Sequence, residues 1–185
     1  QGRRAADDIS GIKTRVLPSQ GTAIVKVFGL TAATTGWNEK RLRAAKRDYL
    51  AIHTHPNDHA SYYPGATTLA IKLLIDPNDG AILGAQAVGK DGVDKRIDVL
   101  ATAMRAGLSA TDLIDLELAY APPFGSAKDP INQLGYIAEN RLAGLSKSVD
   151  WSEVDELRAA GWHILDVRTA EEYALEYRPD IVLYV

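Results

Sequence analysis

Cysteine is absent from the chain, which excludes disulfides, thiolate nucleophiles and cysteine-based metal sites within it. Methionine is almost absent too: Met104 is the only one, and the sequence opens on Gln1. The expectation is therefore a piece of a larger protein. No apolar run approaches the ~20 residues of a membrane helix; Leu69 to Ile75 is among the longest, and Lys72 interrupts it. No apolar leader follows Gln1-Gly2-Arg3-Arg4, so the expected location is cytoplasmic. A large excess of one charge is also missing. Twenty-one basic residues face 24 acidic ones, for a net charge of −3. No field strong enough to hold nucleic acid or an anionic membrane arises from that balance. Neither Gly-x-Gly-x-x-Gly nor Gly-x-x-x-x-Gly-Lys-Ser/Thr occurs, so there is no recognisable dinucleotide or phosphate cradle, and no Gly-x-Ser-x-Gly nucleophile elbow.

What is present reads as a globular α+β chain, 46% hydrophobic and 24% charged. Residues 1–11 read as the tail of a helix stopped at Gly11. A helix that short has nothing of its own to pack against, so a folded segment is expected before it. Gly21 to Phe28 is β-branched and alternating, hence a strand. Thr31 to Gly36 is small and polar. Asn38 is expected to cap a helix over 39–47 with Leu42 inward. Tyr49 to His55 alternates as a strand. Leu69–Asp76 and Ala81–Gly89 flank Pro77-Asn78-Asp79-Gly80, the chemistry of a tight turn, and form the clearest hairpin. Val93, Ile97, Leu100 and Met104 make one apolar stripe on a helix that Gly107 ends. Ser109 and Asp112 suit a variant capping box. Asp129-Pro130 opens a further helix striped by Ile131, Leu134, Ala138 and Leu142, closed at Gly144. After a linker at 147–150, helix 152–160, strand 162–167, helix 169–175 and strand 181–184 give a partial α/β module.

Three groups of residues invite a chemical reading. His53, His55 and His59 with Asp58 lie within seven residues and resemble a zinc cluster, but one residue too many separates His55 from Asp58. No metal is expected there, and a hydrogen-bonded strand end is favoured. Tyr62-Tyr63-Pro64-Gly65 and Tyr120-Ala121-Pro122-Pro123-Phe124-Gly125 cannot be regular structure, because proline removes backbone donors. Loops of that composition either present side chains to a ligand or pack aromatics beneath themselves. A tyrosine hydroxyl, with an unperturbed pKa near ~10, donates a hydrogen bond or a proton while staying neutral. Thr169 and Glu172 form a capping box after the strand-end residue Asp166.

Taken together, Gln20-Gly21-Thr22-Ala23-Ile24-Val25-Lys26-Val27-Phe28, His59-Ala60-Ser61-Tyr62-Tyr63-Pro64-Gly65-Ala66 and Leu118-Ala119-Tyr120-Ala121-Pro122-Pro123-Phe124 resemble the C-terminal part of FAD-dependent pyridine nucleotide–disulfide oxidoreductases. The branch is the coenzyme A–disulfide reductase type, which includes NADH oxidases and persulfide reductases. Asp166-Val167-Arg168 with Glu172-Tyr173 is similar to the start of a rhodanese domain. The His-x-Pro-Gly-Ala-x-Asn stretch expected after Tyr173 is not found in this sequence, and the resemblance places the catalytic cysteine directly after the Val182-Leu183-Tyr184 strand, where this sequence stops.

The resemblance implies that residues 1–19 end an FAD-binding domain, 20–145 form the dimerisation domain and 150–185 begin a rhodanese-like domain. It implies a homodimer, FAD and NAD(P)H bound mainly by residues outside this chain, and a thiol or disulfide substrate such as coenzyme A disulfide or persulfide. Tyr62 and Tyr120 would be catalytic, Tyr63 and Lys128 would contact substrate, and Pro123 and Phe124 would lie against the cofactor. The alternatives are a non-catalytic self-association module and a sulfurtransferase, against which the missing cysteine argues.

Overall fold

The structure is a computed structural model describing residues 2–13, 15–175 and 182–183. It divides into two compact units, Gln1–Leu145 and Ser146–Val185.

The first unit opens with helix α1 (Gly2–Ile9), which buries none of its residues. A five-stranded antiparallel sheet follows, built from β1 (Ala23–Val27), β2 (Leu30–Gly36), β3 (Leu50–Thr54), β4 (Leu69–Ile75) and β5 (Ile82–Gly89). Its order is β1-β2-β5-β4-β3, so the hairpin read from the Pro-Asn-Asp-Gly turn is central. Asp76 organises that turn: its carboxylate accepts from the backbone and side-chain nitrogens of Asn78.

The segment Thr31 to Gly36, which its composition shows only as small and polar, belongs to strand β2. It pairs with β1 from Val27↔Leu30 to Ala23↔Thr34 and with β5 from Thr31↔Gly89 to Gly36↔Gly84. A two-residue turn at Phe28-Gly29 joins it to β1, with Phe28 at φ 53°. Small side chains suit a strand paired on both edges, where cross-strand partners rather than propensity decide. Helix α2 (Glu39–Ala44) is capped by Asn38 as expected, but it stops short of Arg47, since Lys46 adopts φ 51°.

Two helices cover one face of the sheet. Helix α3 (Val93–Ala106) lays Val93, Ile97, Leu100 and Ala103 onto Leu69, Ile71, Leu73, Ala85 and Ala87. Helix α4 (Pro130–Leu142) adds Ile131, Leu134 and Ala138 to the same core. It packs closely on a short 3₁₀ turn, Thr111–Asp115, and a Cβ on Gly135 would stand 2.7 Å from the Ile114 nitrogen. Ser109 and Asp112 exchange the reciprocal hydrogen bonds of the expected capping box. The opposite face holds a small cluster of Leu42, Leu74 and Leu83 beneath α2.

In the second unit, a 3₁₀ turn (Trp151–Glu153) leads into α5 (Val154–Ala159). Strand β6 is Leu165–Asp166 only, shorter than the expected 162–167, and Trp162 is exposed. Helix α6 (Ala170–Leu175) precedes β7 (Val182–Leu183), which pairs parallel with β6. Glu172 accepts from the Thr169 N–H, and Thr169 Oγ1 accepts from the Glu172 N–H. The ends of the expected last strand, Ile181 and Tyr184, lie outside the described residues.

Candidate functional site

Two loops project from one end of the first unit. One runs between β3 and β4 and carries Tyr62 and Tyr63; the other runs from the 3₁₀ turn to α4 and carries Tyr120, Pro123 and Phe124. Their tips meet: the hydroxyls of Tyr62 and Tyr120 lie 3.3 Å apart. Both rings are open to solvent, 75% and 50% exposed. The hydrogen bond to Tyr62 holds the Tyr120 phenol above its ordinary value near 10.0, and partial desolvation and the nearby second phenol push in the same direction. Phe124 is 71% exposed beside them in sequence, and Pro123 is exposed as well.

The first loop is closed at its base. Asp58 N–H donates to the Thr67 carbonyl at 2.9 Å, and Thr67 N–H donates back to Asp58 Oδ1 at 2.6 Å. The second Asp58 oxygen accepts from His59 Nδ1 at 2.6 Å. That bond raises the imidazole above its ordinary 6.5, against the opposing effect of desolvation. Burial pushes the Asp58 carboxyl up, but the Thr67 N–H and His59 outweigh it and leave it below 3.8. The His59 ring sits edge-on to Tyr63, with centroids 5.9 Å apart.

Arg96 lies beneath both loops. It belongs to the buried face of α3 and is 1% exposed. Nε donates to Asp129 Oδ1 at 3.3 Å, and Nη2 donates to Asp129 Oδ2 at 2.9 Å and to the Asp58 carbonyl at 2.7 Å. Asp129 also caps α4, accepting from the Ile131 N–H. The neighbouring Lys95 reaches the carbonyls of Ala119 and Phe124, at 3.5 and 3.4 Å. Ala60 N–H donates to the Gly125 carbonyl at 3.0 Å and ties the loops directly.

Among the residues singled out from sequence, Tyr62 and Tyr120 are brought into contact, and Tyr63, Pro123 and Phe124 flank them in the chain. The Lys128 ammonium lies 4.3 Å from the Tyr136 ring centroid. It borders an open cleft of about 270 Å³ that also involves Glu117, Asn132 and Tyr136. His53 and His55 are exposed while His59 is buried against Asp58, and among the described residues no three His, Cys, Asp or Glu side chains gather. No helix of the described residues is long and apolar enough to cross a membrane. Arg96 escaped the sequence reading. Its signal was a charge at a core-facing helical position, three residues after Val93 and one before Ile97.

The residues present fit a flavin only in part. The exposed Pro123 and Phe124 offer an apolar tip against which a ring can lie, whereas the sequence holds no glycine-rich turn to cradle its phosphates.

The chain resembles known proteins along most of its length. Coenzyme A disulfide reductase of Staphylococcus haemolyticus is 40% identical over 136 residues, 73% of this chain and 30% of that protein. The same enzyme from Staphylococcus aureus is 44% identical over 119 residues, 64% of this chain and 27% of that protein. The chain thus spans about a third or less of these relatives. Among solved structures, reduced Bacillus anthracis CoADR-RHD superposes with a TM-score of 0.94 at 45% identity, over 99% of this chain and 33% of that one. A NAD-dependent persulfide reductase from A. fulgidus gives 0.87 at 37% identity, with the same two coverages. The pyridine nucleotide-disulphide oxidoreductase, dimerisation domain family matches residues 22–130, more than half of the chain. With its five-stranded antiparallel sheet and paired covering helices, the chain belongs to that family.

Proposed function

We propose that this chain is the dimerisation portion of a homodimeric FAD- and NAD(P)H-dependent reductase acting on a disulfide or persulfide of coenzyme A or a similar thiol. The observation that carries the reading is the Tyr62–Tyr120 hydroxyl pair at 3.3 Å, exposed on two loops that are fixed from below. The relatives' chemistry supports it, and so does the exposed position of Phe124. In this reading residues 1–19 end the FAD-binding domain and residues 20–145 form the dimerisation domain. The tyrosine loops face the partner subunit's redox centre, with Pro123 and Phe124 against the cofactor and Tyr63 at the substrate.

FAD, when bound, would supply the two electrons that break the sulfur–sulfur bond. The chain's own contribution is at the leaving sulfur. A released thiolate is an anion whose conjugate acid has an unperturbed pKa near ~8.5. A neutral hydroxyl stabilises it by a charge-assisted hydrogen bond or by proton transfer. Tyr120, whose proton is held more firmly than that of an isolated phenol, suits donation without ionising at neutral pH. The Tyr62 hydroxyl, 3.3 Å away, shares a hydrogen bond with it in which either oxygen can donate, and offers a second proton at the same site.

The test is turnover of coenzyme A disulfide by the intact protein with Tyr62→Phe and Tyr120→Phe. Each change keeps the ring and removes only the hydroxyl. Disulfide turnover should fall while reduction of the bound flavin by NAD(P)H is nearly unchanged. Wild-type turnover in both variants would end the proposal and leave a self-association module as the better description.

We further propose that residues 150–185 begin a rhodanese-like domain. The parallel β6–β7 pair and the 99% coverage of this chain by the Bacillus anthracis structure support this reading. A sulfurtransferase assay on the intact protein tests it, with no thiosulfate turnover as the contrary result.

A further inference from the structure

The two loops that carry Tyr62 and Tyr120 are irregular and share no strand or helix, so some fixed element must set the distance between their tips. Ala60 and Gly125 provide one backbone link. Beyond it, the loops converge on one buried side chain. Arg96 Nη2 donates both to the Asp58 carbonyl, at the base of the Tyr62 loop, and to Asp129 Oδ2, at the end of the Tyr120 loop. Its Nε closes the bidentate pair on Asp129. Nη1 reaches back to the Gly92 carbonyl, which anchors the guanidinium to its own helix. Gly92 has φ 73°, a conformation that side chains rarely adopt, and a Cβ there would stand 2.5 Å from Nη1, so any side chain would push the guanidinium aside.

The choice of arginine is specific to that geometry. A planar guanidinium presents a fixed fork of donors and can serve a carboxylate and a carbonyl at once. Lysine keeps the charge but loses the Nε contact that completes the bidentate pair on Asp129 and the Nη1 contact to the Gly92 carbonyl, so its flexible stem does not hold the donor to both partners in a fixed plane. A buried charge placed only for stability would be a poor choice, since apolar residues of similar size are often as good. Arginine at this position instead fixes two loops relative to each other.

We propose that Arg96 is a positioning residue, which holds Tyr62 and Tyr120 in hydroxyl contact by clamping the Asp58 carbonyl and the Asp129 carboxylate together. The clamp is independent of the function proposed above; only its catalytic consequence rests on that reading.

The experiment measures the contact and not only turnover. In the intact protein, tyrosine labelled with ¹³C at the ζ carbon reports the ionisation of Tyr120 directly. The quantity of interest is how far Tyr62→Phe moves that titration, taken first in the wild type and then in Arg96→Lys and in Asp129→Asn. Comparing within each background cancels the direct field of the altered charge. Asparagine also keeps the acceptor that caps α4. In the wild type, Tyr62→Phe should lower the Tyr120 midpoint. In Arg96→Lys and Asp129→Asn the same change should move it little, because the hydroxyls have already separated. Turnover of Arg96→Lys should fall at the kcat level, and adding Tyr62→Phe should lower it little further. Full coupling retained in either folded background overturns the proposal. If neither variant folds, Arg96 is a folding residue and the proposal is equally overturned. A wild-type protein that shows the coupling but no disulfide turnover would refute the functional reading and leave the clamp intact.

Discussion

The hydroxyl of Tyr62 lies 3.3 Å from that of Tyr120, although the two residues are 58 positions apart. A neutral phenol whose proton is shared with a second phenol ionises less readily, and Tyr120 is accordingly held above its ordinary value. Four expected outcomes follow from this pair and from the elements that support it.

The alkaline limb of disulfide turnover should reflect Tyr120. In the proposed mechanism the protonated hydroxyl is the active form, so activity should be lost as pH rises through its raised pKa. Tyr62→Phe removes the hydrogen bond that raises it, and the limb should move down toward pH 10.0. Each single Phe variant should also lower kcat by roughly 10- to 10⁴-fold at neutral pH. A pH–rate profile of wild type and variants checks both effects.

Arg96→Met should destabilise the first unit strongly. Removing one member of a buried charge pair leaves the other uncompensated, at a cost of about 3–5 kcal/mol. Lys95 remains 3.4 Å from Asp129 and should keep the loss toward the low end. Urea unfolding measures it, and Arg96→Lys should lose less than Arg96→Met.

The Asp58–His59 pair should make stability depend on pH at both ends. His59 has a folded pKa above 6.5, so its contribution is fully present below that value and is lost as pH rises through the folded one. Asp58 has a folded pKa below 3.8, so its contribution is present above that value and is lost as pH falls through the folded one. The Tm difference between wild type and His59→Gln should therefore be greatest between these limits and shrink above neutrality. A difference that stays constant from pH 5 to 9 would contradict the pairing.

Gly135→Ala sets two effects against each other. Alanine gains ~1 kcal/mol of helix propensity over glycine in a helix interior. The new Cβ would stand 2.7 Å from the Ile114 backbone nitrogen, which belongs to a hydrogen-bonded turn and cannot yield easily. Overpacking of this kind costs about 1–3 kcal/mol. Net destabilisation is expected, with α4 displaced from the 3₁₀ turn. Thermal melting gives the sign.

The local elements were determined by the sequence itself. The Pro77–Gly80 turn, the Val93–Leu100 stripe and the Asp129-Pro130 start act through neighbours along the chain, so composition and spacing reveal them. The resemblance carried by the two tyrosine loops likewise lay in contiguous residues. What depended on partners far along the chain was decided only by the tertiary structure. Thr31 to Gly36 became a strand because β1 and β5 satisfy its backbone on both sides, a condition its own residues do not encode. The placing of the Lys128 ammonium over the ring of Tyr136, eight residues on, likewise came from the fold. The contact of Tyr62 with Tyr120 required two irregular loops to be held at a fixed separation. That separation depends on a buried guanidinium bonded to residues 38 and 33 positions away, a long-range geometry that no local pattern of residues specifies.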